Sequence, residues 1–116
     1  YASAPQNINQ YFDLEAIRDA QQVIFTGHVG AKQTHTIVKH TFGAEDSVKL
    51  ENIGTTDLQF YLAPTKDALP KQAGLLLSSG AKQTVFAYTL GDLSDPFLIV
   101  FNPHTVEKGE FVMEIV

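Results

Sequence analysis

From Val23 to the end of the chain, apolar side chains recur at every second position. Val48 and Leu50 alternate with Lys49 and Glu51, Leu58, Phe60 and Leu62 with Gln59 and Tyr61, and Phe111, Met113 and Ile115 with Glu110 and Glu114. A period of two sends successive side chains to opposite faces of a strand, so these segments read as half-buried strands. Turn-forming residues separate them: Gly43-Ala44-Glu45-Asp46, Gly54-Thr55-Thr56, Ala63-Pro64, Ser79-Gly80, Gly91-Asp92, Asn102-Pro103 and Glu107-Lys108-Gly109. Strands are expected near 22–29, 34–42, 47–53, 57–63, 74–78, 84–90, 96–102 and 110–116. Phe97-Leu98-Ile99-Val100-Phe101 is apolar on both faces, as a strand in the middle of a covered sheet would be. About eight strands joined by short turns predict an all-β, antiparallel β-sandwich, with a jelly roll favoured over an immunoglobulin-like topology. One domain is expected over residues 11–116, preceded by an extended N-terminal arm over 1–10. Tyr11 to Ala20 fits both periods, because Phe12, Ala16, Ile17 and Ala20 also line one helical face; a strand running into one helical turn is expected there.

Composition removes several classes of function. The net charge is −5 and Arg18 is the one arginine, so there is no cationic footprint for nucleic acid. The absence of cysteine excludes disulfides, thiolate nucleophiles and cysteine-held metals, and leaves the redox compartment open. The apolar runs Phe97–Phe101 and Phe111–Met113 are far too short to span a membrane, so no membrane insertion is expected. An opening Tyr1 in place of Met fits processing or a leader upstream, although Ala2-Ser3-Ala4 before Pro5 makes a poor signal-cleavage site.

Gly-Ala-Lys-Gln-Thr occurs twice, at 30–34 and 80–84. In each copy Gly suits a turn and Thr suits the start of a strand, so each reads as a turn feeding a strand. Shared turn chemistry is the preferred explanation, ahead of an old hairpin duplication and of a paired ligand site built on Lys32 and Lys82. Chemistry finds little foothold elsewhere. His35 and His40 have opposite parity on one strand and are expected on the rim or facing solvent. The serines lack a nucleophile elbow and the glycines occur singly, without a phosphate-cradling pattern. Asp92 and Asp95, with Glu45 and Asp46 on the matching loop, could offer oxygen ligands to calcium, but loop acids more often cap turns. No enzyme, cofactor or metal site is therefore expected. For a sugar-binding surface the aromatic candidates are Tyr11, Tyr61 and Tyr88; Tyr61 shares the outward face with Gln59, where an edge tyrosine covering the sheet is the simpler reading.

The arm from Tyr1 to Gln10 carries no charged side chain and little apolar surface, so it cannot fold alone. It can still add to an open sheet edge through main-chain hydrogen bonds. Ile8, Tyr11 and Phe12 are the expected apolar anchors in a neighbouring subunit, and Asn7 and Asn9 the polar contacts.

Asp46-Ser47-Val48-Lys49-Leu50-Glu51-Asn52-Ile53-Gly54 followed by Phe60-Tyr61, Ser79-Gly80 before a Thr-rich strand, and Gly109-Glu110-Phe111-x-Met113-x-Ile115 resemble the pilins of bacterial endospore appendages. Tyr11-Phe12-Asp13-Leu14, with Ala16, Ala20 and Val23, is similar to their first strand and the turn after it. The resemblance implies an eight-stranded jelly-roll subunit that polymerises by sheet augmentation, its N-terminal connector reaching into neighbouring subunits of an extracellular fibre. Those pilins cross-link through cysteines, whereas Val112 stands at the core position where their pattern has Cys, so covalent locking is excluded here. The expected function is thus a non-enzymatic structural subunit of a fibre or pilus on a cell or spore surface, a homopolymer whose partners are copies of itself. The competing reading is a monomeric carbohydrate- or protein-binding accessory module.

Overall fold

A computed structural model describes residues 12–13, 23–71 and 74–116. Among them nine strands form: β1 (Phe12–Asp13), β2 (Val23–Val29), β3 (Thr34–Lys39), β4 (Ser47–Asn52), β5 (Leu58–Ala63), β6 (Leu75–Leu77), β7 (Lys82–Phe86), β8 (Phe97–Phe101) and β9 (Gly109–Ile115). They make two facing sheets, one in the order β1-β3-β8-β5-β6 and the other β2-β9-β4-β7. All pairings are antiparallel except that of β1 with β3. The protein is an all-β sandwich, as the period of two requires.

The alternating positions become the interior. Val48 and Leu50 of β4, Leu58, Phe60 and Leu62 of β5, Leu98 and Val100 of β8, and Phe111 and Met113 of β9 join one buried cluster between the sheets. The ring of Phe111 lies edge-on to Phe60 at 6.3 Å between centroids, and so ties the two sheets together at mid-core. The continuous apolar run of β8 also has its reason. β8 is the central strand of its sheet, and Ile99 on its outer face is buried with Tyr61 and Ala63 under a cover to which Ala68 contributes.

Several expectations are corrected. The strand expected over 84–90 is β7 only as far as Phe86; Ala87–Leu90 is a 3₁₀ turn. Residues three apart eclipse in that geometry, which carries both Ala87 and Leu90 into the core. β3 ends at Lys39 instead of Thr41 or Phe42, after a bulge between Thr36 and Val38. His35, expected on the rim or in solvent, is buried at 8% exposure and its ring lies 5.6 Å from that of Phe111. Inner-face parity on β3 outweighs its polarity. Val112 does not point into the core: it pairs with Thr26 and Glu51 on the outer face of the β9 sheet, where alternation with Phe111 and Met113 puts it.

Along β2 to β9 the chain changes sheet at every connection except β5 to β6. The two halves also correspond. Exchanging β2, β3, β4 and β5 for β6, β7, β8 and β9 in turn converts the order β2-β9-β4-β7 into β6-β5-β8-β3, which is the opposite sheet. β3 and β7 are therefore equivalent strands, each the outermost of its four on one sheet, and β1 is added outside β3 alone.

Candidate assembly edge

Two buried asparagines fix where β3 and β7 begin. Asn102, just past β8, is fully buried; its Nδ2 donates to the carbonyls of Val29 (3.1 Å) and Glu107 (2.7 Å), and its Oδ1 accepts from the His104 N–H (2.9 Å). Asn52, at the end of β4, repeats the arrangement: Nδ2 to Leu77 (3.0 Å) and Thr56 (2.7 Å), Oδ1 from the Gly54 N–H (3.1 Å). Each side chain uses three of its hydrogen-bonding positions on backbone, which is how a fully buried amide escapes a desolvation penalty. The main chains match as well. Asn102 donates to Gln33 O and accepts from Lys32 N; Asn52 donates to Ala81 O and accepts from Gly80 N.

That match shows the doubled pentapeptide to be out of structural step. Gln33 N closes its turn on Gly30 O, whereas Ala81 N closes the other on Ser78 O. Lys32, at φ 58°, occupies the left-handed position that Gly80 fills at φ 79°. Identical letters thus sit two residues apart in the equivalent turns, and Lys32 and Lys82 are not equivalent. Shared turn chemistry accounts for the repeated word; the duplication is one of architecture.

The two equivalent edges differ in what covers them. On β3 the outward positions Thr34 and Thr36 are engaged by Asp67: its carboxylate accepts from Thr36 N (3.1 Å) and Thr36 Oγ1 (2.8 Å), and its carbonyl accepts from Thr34 Oγ1 (3.1 Å). Farther along, β1 pairs in parallel with Val38 and Lys39. The backbone of Phe12, one of the expected docking residues, is thus paired within its own sheet, while Asn7, Ile8, Asn9 and Tyr11 lie outside the described residues.

β7 pairs with β4 alone among the described residues. Ala81 O and Ala87 N bond toward β4, so by alternation the N–H and C=O groups of Lys82 and Thr84 point away from it, along the open edge, whereas the carbonyl of Phe86 is taken by Thr89 Oγ1 at 2.7 Å. Beside that edge Phe86 and Tyr88 are 46% and 54% exposed, and their rings stack at 5.5 Å with 15° between planes. Sequence reasoning named Tyr88 as an aromatic surface candidate but missed the open edge and the partner Phe86, having placed residues 84–90 in one strand.

The other candidates separate. Tyr61, a stacking candidate for which covering the sheet is the simpler reading, is 1% exposed, and its hydroxyl donates to Ala68 O at 2.6 Å. Burial first, then the charge of Asp67, pushes its pKa far above the ordinary 10.0. A raised folded-state pKa means that this contribution to stability is complete below pH 10.0 and is lost above it as the unfolded chain ionises more readily. Thermal melts are expected to show Tyr61→Phe about 1 kcal/mol less stable at neutral pH, with the gap narrowing as pH climbs past about 10.

Asp92 caps its own turn by accepting from Ser94 N and Ser94 Oγ (2.9 and 2.8 Å), and these bonds hold its pKa below the usual carboxylate value. Asp46 likewise accepts from Gly43 N. Asp92 and Asp95 share with Tyr61, Leu69 and Lys71 a hollow of about 330 Å³. Among the described residues no three His, Asp or Glu side chains come together as a metal site. His28 bonds Glu110 at 3.2 Å on the outer face, and His104 Nδ1 accepts from the N–H groups of Val106 and Glu107. Among the described residues no helix is long and apolar enough to cross a membrane.

No protein-family model matches this chain, and no curated protein does. A solved structure from Bacillus endospore appendages, described as a novel family of disulfide-linked pili, is similar at 16% identity, covering 83% of this chain and 88% of the other with a TM-score of 0.44. A likeness that distant carries no functional weight; the open edge of β7 does.

Proposed function

We propose that this chain is a non-enzymatic structural subunit that self-assembles into a fibre or pilus at a cell or spore surface, by docking of its N-terminal arm and by sheet augmentation. The sandwich is a jelly roll in this reading, which the crossing of nearly every connection between the sheets supports. The carrying observation is the edge of β7. Bare edges are ordinarily protected by a covering segment, a bulge or proline, because they invite pairing with another chain. β3 has such protection from Asp67 and β1. β7, its equivalent, has a guarding charge at Lys82 but no covering segment among the described residues, and an exposed aromatic pair beside its other end.

Thr84→Pro is the direct test. The N–H that proline removes points outward, so the ladder to β4 stays intact and the subunit folds. Assembly by augmentation loses a hydrogen bond at mid-strand and meets the pyrrolidine ring. Negative-stain microscopy and size exclusion are expected to show polymer from the parent chain and folded monomer from Thr84→Pro. Polymer unchanged in the variant would remove β7 from the assembly.

The exposed Phe86–Tyr88 pair also favours a second reading, a monomeric carbohydrate- or protein-binding module. A single monomeric species at every concentration, with glycan or protein binding lost in Tyr88→Ala, would establish that reading over the first.

A further inference from the structure

We infer that the outer edge of β7 receives the N-terminal arm of a second copy, laid parallel to β7 over residues 6–10. The inference rests on the fibre reading and assigns the acceptor strand, the donor segment and its direction.

The equivalence of β3 and β7 carries it. The ladders of the two edges coincide: Thr36 opposes Ile99 and Thr84 opposes Lys49, Val38 opposes Leu98 and Val85 opposes Val48, Lys39 opposes Phe97 and Phe86 opposes Ser47. On β3 the register places the chain's own Phe12 beside Val38 and Asp13 beside Lys39, running parallel. One of two matching edges thus already takes an extended piece of N-terminal chain in that direction. The edge of β7 takes no strand besides β4 among the described residues and presents Lys82 and Thr84 outward at matching positions; of its outward groups the Phe86 carbonyl alone is engaged, by Thr89 Oγ1, at the end of the strand.

A second copy could offer other occupants, and the geometry disfavours them. Its β3 edge is engaged by Asp67 and β1. Its β7 could pair antiparallel with this one, but a two-fold contact of that kind closes as a dimer and does not propagate. Gln6-Asn7-Ile8-Asn9-Gln10 fits the open edge. It has five residues for the five of β7, no charge to oppose Lys82, and no proline, so every N–H can enter the ladder. Pro5 sits just outside, where it would end the pairing.

The absence of cysteine makes the test clean. Single cysteines placed at each position from Gln6 to Gln10 are each mixed with a separate Thr84→Cys chain under mild oxidation. The expected result is a mixed disulfide that alternates along the arm, strong at every second position and weak between, because successive side chains of a strand face opposite ways. Lys82→Cys, on the same face two residues earlier, should move the strongest position toward Gln6, which fixes the parallel direction. Three results overturn the inference: polymers without any mixed disulfide, which leaves the fibre reading standing; a dominant disulfide between two Thr84→Cys chains; or a maximum that moves toward Gln10. A chain that never polymerises and forms no mixed disulfide removes both readings.

Discussion

Asn102→Ala is expected to lower stability by about 2–5 kcal/mol, read as a fall in the urea midpoint with little change in slope. Truncation strands the Val29 carbonyl in the interior and deprives Glu107 O and His104 N of their partner, and each buried group left unpaired costs about 1–3 kcal/mol. For a domain whose whole stability is about 5–15 kcal/mol, such a loss brings the chain close to unfolding. Asn52→Ala should match it, since both carbonyls held by Asn52 Nδ2 are bonded in the buried interior. Asn102→Asp should be worse than alanine at neutral pH, because a carboxylate cannot donate and would face two carbonyl oxygens. An aspartate variant as stable as the parent would mean that the clamp is filled by water.

Phe111→Ala is expected to cost about 3–5 kcal/mol and to lower the melting temperature by on the order of 15 °C. Phe111 is 1% exposed and reaches from the β9 sheet onto Phe60 and His35 of the opposite sheet, so neither side can close the gap without giving up its own ladder. Gly27 belongs to the same arrangement: a Cβ there would lie 3.1 Å from Phe111 Cζ, so the ring occupies room that a side chain on β2 would take. Differential scanning calorimetry is the measurement; a shift of only a few degrees would show that the core relaxes around the deletion.

The strands were readable because a half-buried strand writes its faces into alternate residues. β4, β5 and β9 fall within a residue or two of the expected spans for that reason. β7 was readable only in part, since Ala87 and Leu90 satisfy a strand pattern and a 3₁₀ turn alike, and only packing chooses between them. Tyr61 has the parity of a solvent-facing residue, and what buries it is a loop whose path the period of two does not encode. Asn102 reads as a turn former and Asn52 as part of a strand; their buried clamps depend on carbonyls as far off as Val29 and Leu77. The open edge of β7 follows from strand order, which no local pattern specifies.

The position of β9 between β2 and β4 bears on how the chain is born. While the ribosome is still making the stretch after β8, β2 has no ladder among the described strands and β4 has only β7. Synthesis can therefore deliver only half-zipped intermediates, with apolar faces bare, until the closing segment emerges. Chaperone dependence should accordingly end abruptly with the release of β9 instead of easing as the chain lengthens.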